Sequence, residues 1–271
     1  MQQNIYNREF EFIDTQEKAY VLGLFYADGY VCSINNDCGI TLISDDSYIL
    51  YKIQELFKFF TVRKSHNNHF KLKCCNKQLK KDLINLGVLE RKSTDNRFFL
   101  RFPNIDKSLY HHFIRGYFDG DGGVYRQKIN NIKIYIGGTC FYFITDLIKV
   151  LYDNKISVNL TVKYSGSGLR TIDYYIIYTS SYRESKKFFD YIYKNSSLHL
   201  ERKYKGFELV EIVERTRAIC PKCGSNQTLF NGFRNNKTRI KCKNCNKMST
   251  IIEAAPINSN INSGEGELLE D

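Results

Sequence analysis

Twice in this chain, 93 residues apart, an apolar run with small residues four apart ends in Asp-Gly. Residues 20–30 read YVLGLFYADGY and residues 113–123 read FIRGYFDGDGG. The spacing predicts a helix in each case. Gly23 and Ala27 are four apart, as are Gly116 and Gly120, so each helix carries one bare stripe along which a second backbone can approach closely. Gly29 and Gly122 suit the left-handed residue that ends a helix. Asp28 and Asp121 then fall at the C-terminal ends, where the helix dipole disfavours a carboxylate by on the order of 0.5 kcal/mol. If the two stripes face each other, the two carboxylates meet at one edge of the seam and repel. Divalent cations reverse that penalty, since two carboxylates are what Mg²⁺ takes when water and phosphate oxygens complete its shell.

The surroundings of the two motifs repeat as well. After the first come GITLIS (39–44), DSYILYKIQELFKFF (46–60), TVRKSHNNHFKLKCC (61–75) and NKQLKKDLINLG (76–87). After the second come VYRQKINNIKIYIGG (124–138), FYFITDLIKVLYDN (141–154), SVNLTVKYSGSGLRTIDYYIIYT (157–179) and SYRESKKFFDYIYKN (181–195). Each unit reads helix, two strands, helix, two strands, helix, and Leu-Glu-Arg-Lys closes both, at 89–92 and 200–203. The expected fold class is α+β, with two pseudo-symmetric αββαββα half-domains at 1–107 and 108–215.

Alternation along the strands sorts the residues by face. Phe70, Leu72 and Cys74, then Ile132, Ile134 and Ile136, then Val158, Leu160 and Val162 are expected inward. His69, Lys71, Lys73, Lys133, Tyr135, Asn159, Thr161 and Lys163 are expected outward, joined by Arg63 from the neighbouring strand. A face of this kind suits a charged, hydrogen-bonding partner. Forty Lys and Arg against 29 Asp and Glu give a net charge of +11, and residues 249–271 hold five acids and no base, leaving +16 on the first 248 residues. An anionic partner such as nucleic acid is favoured over a neutral metabolite.

A second module lies at 216–250. Cys220-Pro-Lys-Cys223 and Cys242-Lys-Asn-Cys245 are two CxxC knuckles around FNGFRNNKTRIK, a pattern that brings four thiolates onto Zn²⁺ as a zinc ribbon. Arg234 and Arg239 are candidates for further DNA contact, with a protein–protein role for the module as the alternative. The tail 251–271 is polar and acidic, and disorder is expected there. His111-His112 and HNNH (66–69) read as incidental surface histidines, and SGSGLR (165–170) as a hairpin turn without the Lys-Ser/Thr of a phosphate loop. No apolar stretch of membrane-spanning length and no basic-then-apolar start is present, so an intracellular protein (cytoplasm, organelle or phage-infected cell) with reduced thiols is expected.

The pair VLGLFYADG and IRGYFDGDG resembles the two motifs of a single-chain LAGLIDADG homing endonuclease, and the resemblance extends over residues 18 to about 213. It implies that Gly23, Ala27, Gly116 and Gly120 line the helix interface and that the two sheets make a saddle lying in the DNA major groove. It also implies that Asp28 and Asp121 bind Mg²⁺ or Mn²⁺ and cut one strand each, leaving short 3′ overhangs, and that Lys92 and Lys203 are basic residues near the scissile phosphates. The chain departs from the motif at Tyr26, where the second copy keeps Asp119, so unequal halves are expected. With Met at the start and Leu-Glu-Asp at the end, an intein is not expected.

The expected activity is metal-dependent hydrolysis of both strands of a long duplex site, with Lys92 and Lys203 stabilising the transition state. Strands of about eight residues span about 26 Å, so two halves cover on the order of 16 to 20 base pairs. Arg63, Lys71, Lys73, Lys133 and Lys163 are the candidate DNA contacts. The expected state is a monomer on double-stranded DNA, with no membrane partner. A noncatalytic DNA binder and a maturase on intron RNA are the alternatives on the same scaffold.

Overall fold

Thr15 accepts a hydrogen bond from the Lys18 amide and starts helix α1, Gln16–Ala27. Every residue from Ala19 to Ala27 is buried, as befits a helix that is apolar on all sides. The computed structural model describes residues 6–90, 99–126, 132–165, 172–179, 181–207, 218–234 and 237–251. Lys92, the SGSGLR turn beyond its first residue and all but the first residue of the acidic tail lie outside them. The chain divides into two units, Met1–Val210 and Glu211–Asp271.

In the first unit α1 is followed by β1 (Gly29–Val31), β2 (Asp37–Ile43), α2 (Ser47–Leu56), β3 (Thr61–Lys64), β4 (His69–Cys75) and α3 (Lys77–Asn85). The same order then recurs as α4 (Tyr110–Asp121), β5 (Gly122–Arg126), β6 (Ile132–Gly138), α5 (Phe141–Asp153), β7 (Asn159–Ser165), β8 (Ile172–Tyr178) and α6 (Tyr182–Ile192). The strands form two four-stranded antiparallel sheets with matching orders, β1-β2-β4-β3 and β5-β6-β8-β7. The fold is α+β, with helices covering one face of each sheet. Among the described residues no helix is long and apolar enough to cross a membrane.

The two halves are joined along α1 and α4, which run parallel. A Cβ on Gly23 would lie 2.1 Å from the Phe113 carbonyl oxygen, and one on Gly116 would lie 2.0 Å from that of Tyr20. One turn on, a Cβ on Gly120 would lie 2.3 Å from that of Ala27. The bare stripes therefore face each other. Each half also sends its closing segment across the seam. Arg101 pairs with Asp146 of α5 at 2.9 Å, and Arg202 grips buried Asp46 through Nε and Nη2 at 3.0 and 2.8 Å.

Three expectations change. Gly29 and Gly122 do not adopt left-handed backbone, since the positive-φ glycines among the described residues are Gly87 and Gly224. They open strands that fold tightly over the preceding helix, where a Cβ would come within 2.4 Å of Phe25 Cα or 2.2 Å of the Phe118 ring. Leu160 and Val162 are each 39% exposed, because β7 is the edge strand and packs less helix beneath it. His112 is buried rather than superficial, with its Nδ1 2.7 Å from Arg115 Nη1.

Burial, and then the Arg115 charge, push the His112 imidazole from 6.5 down to about 3. Below pH 6.5 the unfolded chain therefore binds a proton that the folded chain refuses. The stability due to neutral His112 is complete above pH 6.5 and is lost as pH falls toward 3. A His112→Gln variant, whose Oε1 can still accept from Arg115, is expected to flatten the acid limb of a plot of urea midpoint against pH between 6.5 and 4. An unchanged limb would assign the acid sensitivity elsewhere.

Candidate functional site

The parallel seam brings Asp28 and Asp121 to the same end of the helix pair. Asp28 is the C-cap of α1, exposed, and its Oδ2 lies 2.9 Å from where a Cβ on Gly120 would stand. Asp121, the next residue along, is half-buried at the end of α4. The Asp121 charge reaches Tyr117 and Tyr174, where burial first and that charge second raise both phenols. Glycine at position 120 thus leaves the Asp28 carboxylate in place beside the end of the second helix. Two hard-oxygen donors at one solvent-facing edge fit a divalent cation that completes its shell with water and phosphate.

Lys203 is 4% exposed and does not project toward solvent. Its Nζ donates to the carbonyls of Phe118 at 2.8 Å, Gly120 at 3.2 Å and Asp119. All three lie in the last turn of α4, where a helix runs short of amide donors, and the carbonyl of Phe118 also takes the Gly122 amide, so the ammonium caps the end of α4 that carries Asp121. Burial pulls its pKa down to about 8, against the opposing pull of Asp119 and Asp28. In this structure its three donors go to backbone rather than outward, so Lys203 supports the helix end that carries Asp121.

The place where the two motifs differ is buried. Tyr26, 2% exposed, donates from its hydroxyl to the Leu86 carbonyl at 2.8 Å and sets its ring edge-on to Phe113. Asp119, 1% exposed, accepts from Tyr20 Oη and the Leu200 amide, each at 2.8 Å, and from Tyr193 Oη at 3.3 Å. Burial raises its carboxyl to about 6. Each residue ties its own half's last helical segment to the seam, so the inequality lies in packing. Arg115, fully buried, was not singled out from the sequence. Its Nε and Nη1 donate to the carbonyls of Leu198 and Ile192 at 2.7 and 2.8 Å. The signal for it was a lone Arg one turn before Asp119 in an otherwise apolar helix.

The strand register places the candidate contact residues on the uncovered sheet faces. In the first sheet Arg63 pairs with Lys71, and Lys73 pairs with Thr61 and Gly39. Arg63 is exposed, whereas Lys71 and Lys73 are half-buried. Lys73 meets Asp37 at 3.1 Å, and Lys71 sits 5.1 Å above the Tyr30 ring. In the second sheet Lys133 pairs with Tyr125, and exposed Lys163 pairs with Tyr174.

In the second unit β9 (Thr228–Arg234), β10 (Lys237–Cys242) and β11 (Met248–Ile251) form an antiparallel sheet ordered β11-β10-β9. The four cysteine sulfurs lie within 4.8 Å of one another. Cys220 Sγ is 3.7 Å from Cys245 Sγ, and Cys223 Sγ is 3.6 Å from Cys242 Sγ. These are close to the edge of about 3.8 Å that a tetrahedron with metal–sulfur distances of ~2.3 Å requires. Both knuckles turn alike, with Gly224 at φ +69° and Asn246 at φ 56° directly after the second cysteine. The Lys222 amide points at Cys220 Sγ at 3.4 Å. Hydrogen bonding, chiefly from the Cys245 amide, draws the Cys242 thiol down to about 6. Four sulfurs at these separations fit the coordination of a tetrahedral thiophilic cation. Arg239 is half-buried on β10, and the Arg234 side chain lies outside the described atoms.

No family model and no curated protein matches this chain. Among solved structures it is similar to the LAGLIDADG meganuclease I-AabMI bound to uncleaved DNA, at 14% identity and a TM-score of 0.49, over 73% of this chain and 90% of that one. It is similar also to the LAGLIDADG homing endonuclease I-SmaMI bound to cleaved DNA, at 10% identity and 0.46, over 78% and 93%. Full-length DUF199/WhiA from Thermatoga maritima aligns at 16% identity and 0.47, over 79% of this chain and 63% of that chain.

Proposed function

We propose that this chain is a site-specific DNA endonuclease that makes a metal-dependent double-strand break in a long target. The supporting observation is the seam itself, where two parallel helices in glycine contact end in Asp28 and Asp121 at the same edge. Asp28 and Asp121 would hold Mg²⁺ or Mn²⁺. Bound there, the cation supplies an acidified water for attack on phosphorus and charge neutralisation at the leaving oxygen. The chain's own contribution is position. The seam glycines fix the spacing of the two carboxylates, and Lys203 anchors the end that carries Asp121. Lys92 remains the candidate basic residue of the first half. Arg63, Lys71, Lys73, Lys133 and Lys163 would orient the duplex through phosphate and base-edge contacts.

Incubating the full-length protein with a randomised duplex library in Mg²⁺, with Ca²⁺ as a noncutting control, is expected to yield cleaved molecules sharing one asymmetric site of on the order of 16 to 20 base pairs. Enrichment of bound duplexes without any cut product in Mg²⁺ or Mn²⁺ would make the protein a noncatalytic binder.

The cysteine cluster is proposed to hold one Zn²⁺, with Arg234 and Arg239 adding DNA contact. A structural zinc in so small a module contributes apparent free energies of about 10–16 kcal/mol, which are also its folding free energy. Anaerobically purified protein is expected to carry one zinc per chain. A Cys220→Ser, Cys242→Ser double variant is expected to lose it and to become protease-sensitive beyond residue 210 while the melting transition of the first unit persists. Zinc-free wild-type protein with an intact ribbon would sink this assignment.

A further inference from the structure

The open faces of the two sheets differ in chemistry. On the first, register places Thr41, Thr61, Arg63, His69, Lys71 and Lys73, groups that donate or accept hydrogen bonds, with one apolar side chain, Ile43, at the end of β2 opposite His69. Its single tyrosine, Tyr30, lies beneath Lys71 and donates to Asp37 at 3.2 Å. On the second, register places Tyr125, Tyr135, Tyr174, Ile176 and Tyr178 together: Tyr135 pairs with Tyr178, and Ile176 pairs with Gly137 on one side and Thr161 on the other. Two of these rings lie flat. A Cβ on Gly123 would be 2.3 Å from Tyr135 Oη, and a Cβ on Gly137 would be 2.1 Å from Tyr174 Oη. The glycines allow the rings down onto the sheet, which keeps the apolar patch low enough for a broad partner to reach it. Tyr125 and Tyr135 remain 50% and 43% exposed.

Ile176 is the informative residue. It has neither donor nor acceptor, sits on the open face between flat tyrosines, and is partly exposed. Lys133 and Lys163 stand at the margins of the patch, each paired with one of its tyrosines. Cations around an apolar centre match a partner with phosphates at its edges and an apolar group in the middle. The major groove offers one such group, the C5 methyl of thymine.

We infer that the two half-sites are read by different chemistry: the second sheet takes a thymine-bearing half-site against Tyr135, Tyr174 and Ile176, and the first takes a half-site read by hydrogen bonds from Arg63, Lys71 and Lys73, which favour guanine. The inference rests on the duplex-DNA reading of the sheets but not on cleavage.

The test is binding. Full-length protein in Ca²⁺ selects duplexes from a randomised library, and the selected duplex is then resynthesised with dU in place of dT in one flank at a time, which removes the methyl alone. One flank is expected to be thymine-bearing and to lose about fourfold in affinity per methyl removed, the factor that accompanies exposing one buried CH₂-sized group. The guanine-bearing flank is expected to tolerate dU unchanged. Ile176→Thr, which keeps the β-branched shape, is expected to shrink the dT/dU ratio in the first flank only, and Lys71→Gln to relax base preference in the second flank only. Specific binding with equal tolerance of dU in both flanks, or with both flanks alike, overturns this inference and leaves the nuclease proposal standing. Failure to enrich any duplex overturns both.

Discussion

Asp28→Asn and Asp121→Asn are each expected to abolish conversion of a target-bearing supercoiled plasmid to linear product, by at least about 10³-fold, or roughly 4 kcal/mol of barrier. Binding to the same target in Ca²⁺ should survive, because asparagine keeps the shape of the side chain and the sheets carry the duplex contacts. Stability should change little, within about 1 kcal/mol, because the helix dipole opposes each carboxylate while the Lys203 ammonium at the end of α4 attracts Asp28 and Tyr117 bonds Asp121. Loss of cutting without loss of stability separates a metal-holding acid from a structural one. A structural acid would lose stability on substitution, and cutting would fall only as the folded fraction fell. Undiminished linear product from either variant would remove the seam acids from the chemistry.

The second large effect concerns the glycines beneath those acids. A Cβ at position 116 would stand 2.0 Å from a backbone carbonyl oxygen of α1. No rotamer relieves this, because the clash is with Cβ itself. Gly116→Val is therefore expected to separate α1 from α4 and cost more than about 4 kcal/mol, the range reserved for overpacked or broken cores. The full-length variant should show no cooperative urea transition for the first unit by far-UV circular dichroism. Gly206→Ala is the control, since its Cβ would meet only Val124 side-chain carbons at 3.3 Å and the position is helical. It is expected to stay within about 1 kcal/mol of the parent. A Gly116→Val protein as stable as the control would mean that the helices can move apart freely, and the spacing of Asp28 and Asp121 would then be no consequence of the seam.

Much of this arrangement could be read from the residues. The duplicated stripe announced the helix pair, and alternation in IKIYIGG and HFKLKCC assigned the faces of β6 and β4, because a covered strand in the middle of a sheet leaves a two-residue period. The same period misled in β7, where Leu160 and Val162 alternate correctly but occupy an edge. Strand order is a tertiary fact that periodicity does not carry. Lys203 was legible as a lysine near a helix end, yet its direction was not. A solvated ammonium and one folded beneath α4 look the same in sequence, and only the three carbonyls of residues 118–120 distinguish them. The Asp119 network escaped notice for a related reason, since its partners Tyr20 and Leu200 lie 99 and 81 residues away.

The latch at Asp119 also sets an order in time. Synthesis runs from the amino end, so Tyr20 emerges long before Asp119, and Asp119 before the Leu200 amide that completes its bonding. At about 5–20 residues per second, the roughly 80 residues between them take about 4–16 s to make. Through that interval the nascent chain has the glycine groove of α1 uncovered, or covered by a helix whose Asp119 holds Tyr20 but still lacks the Leu200 amide. A message truncated anywhere before the Leu200 codon is expected to yield an adhesive fragment for the quality-control machinery rather than a working half.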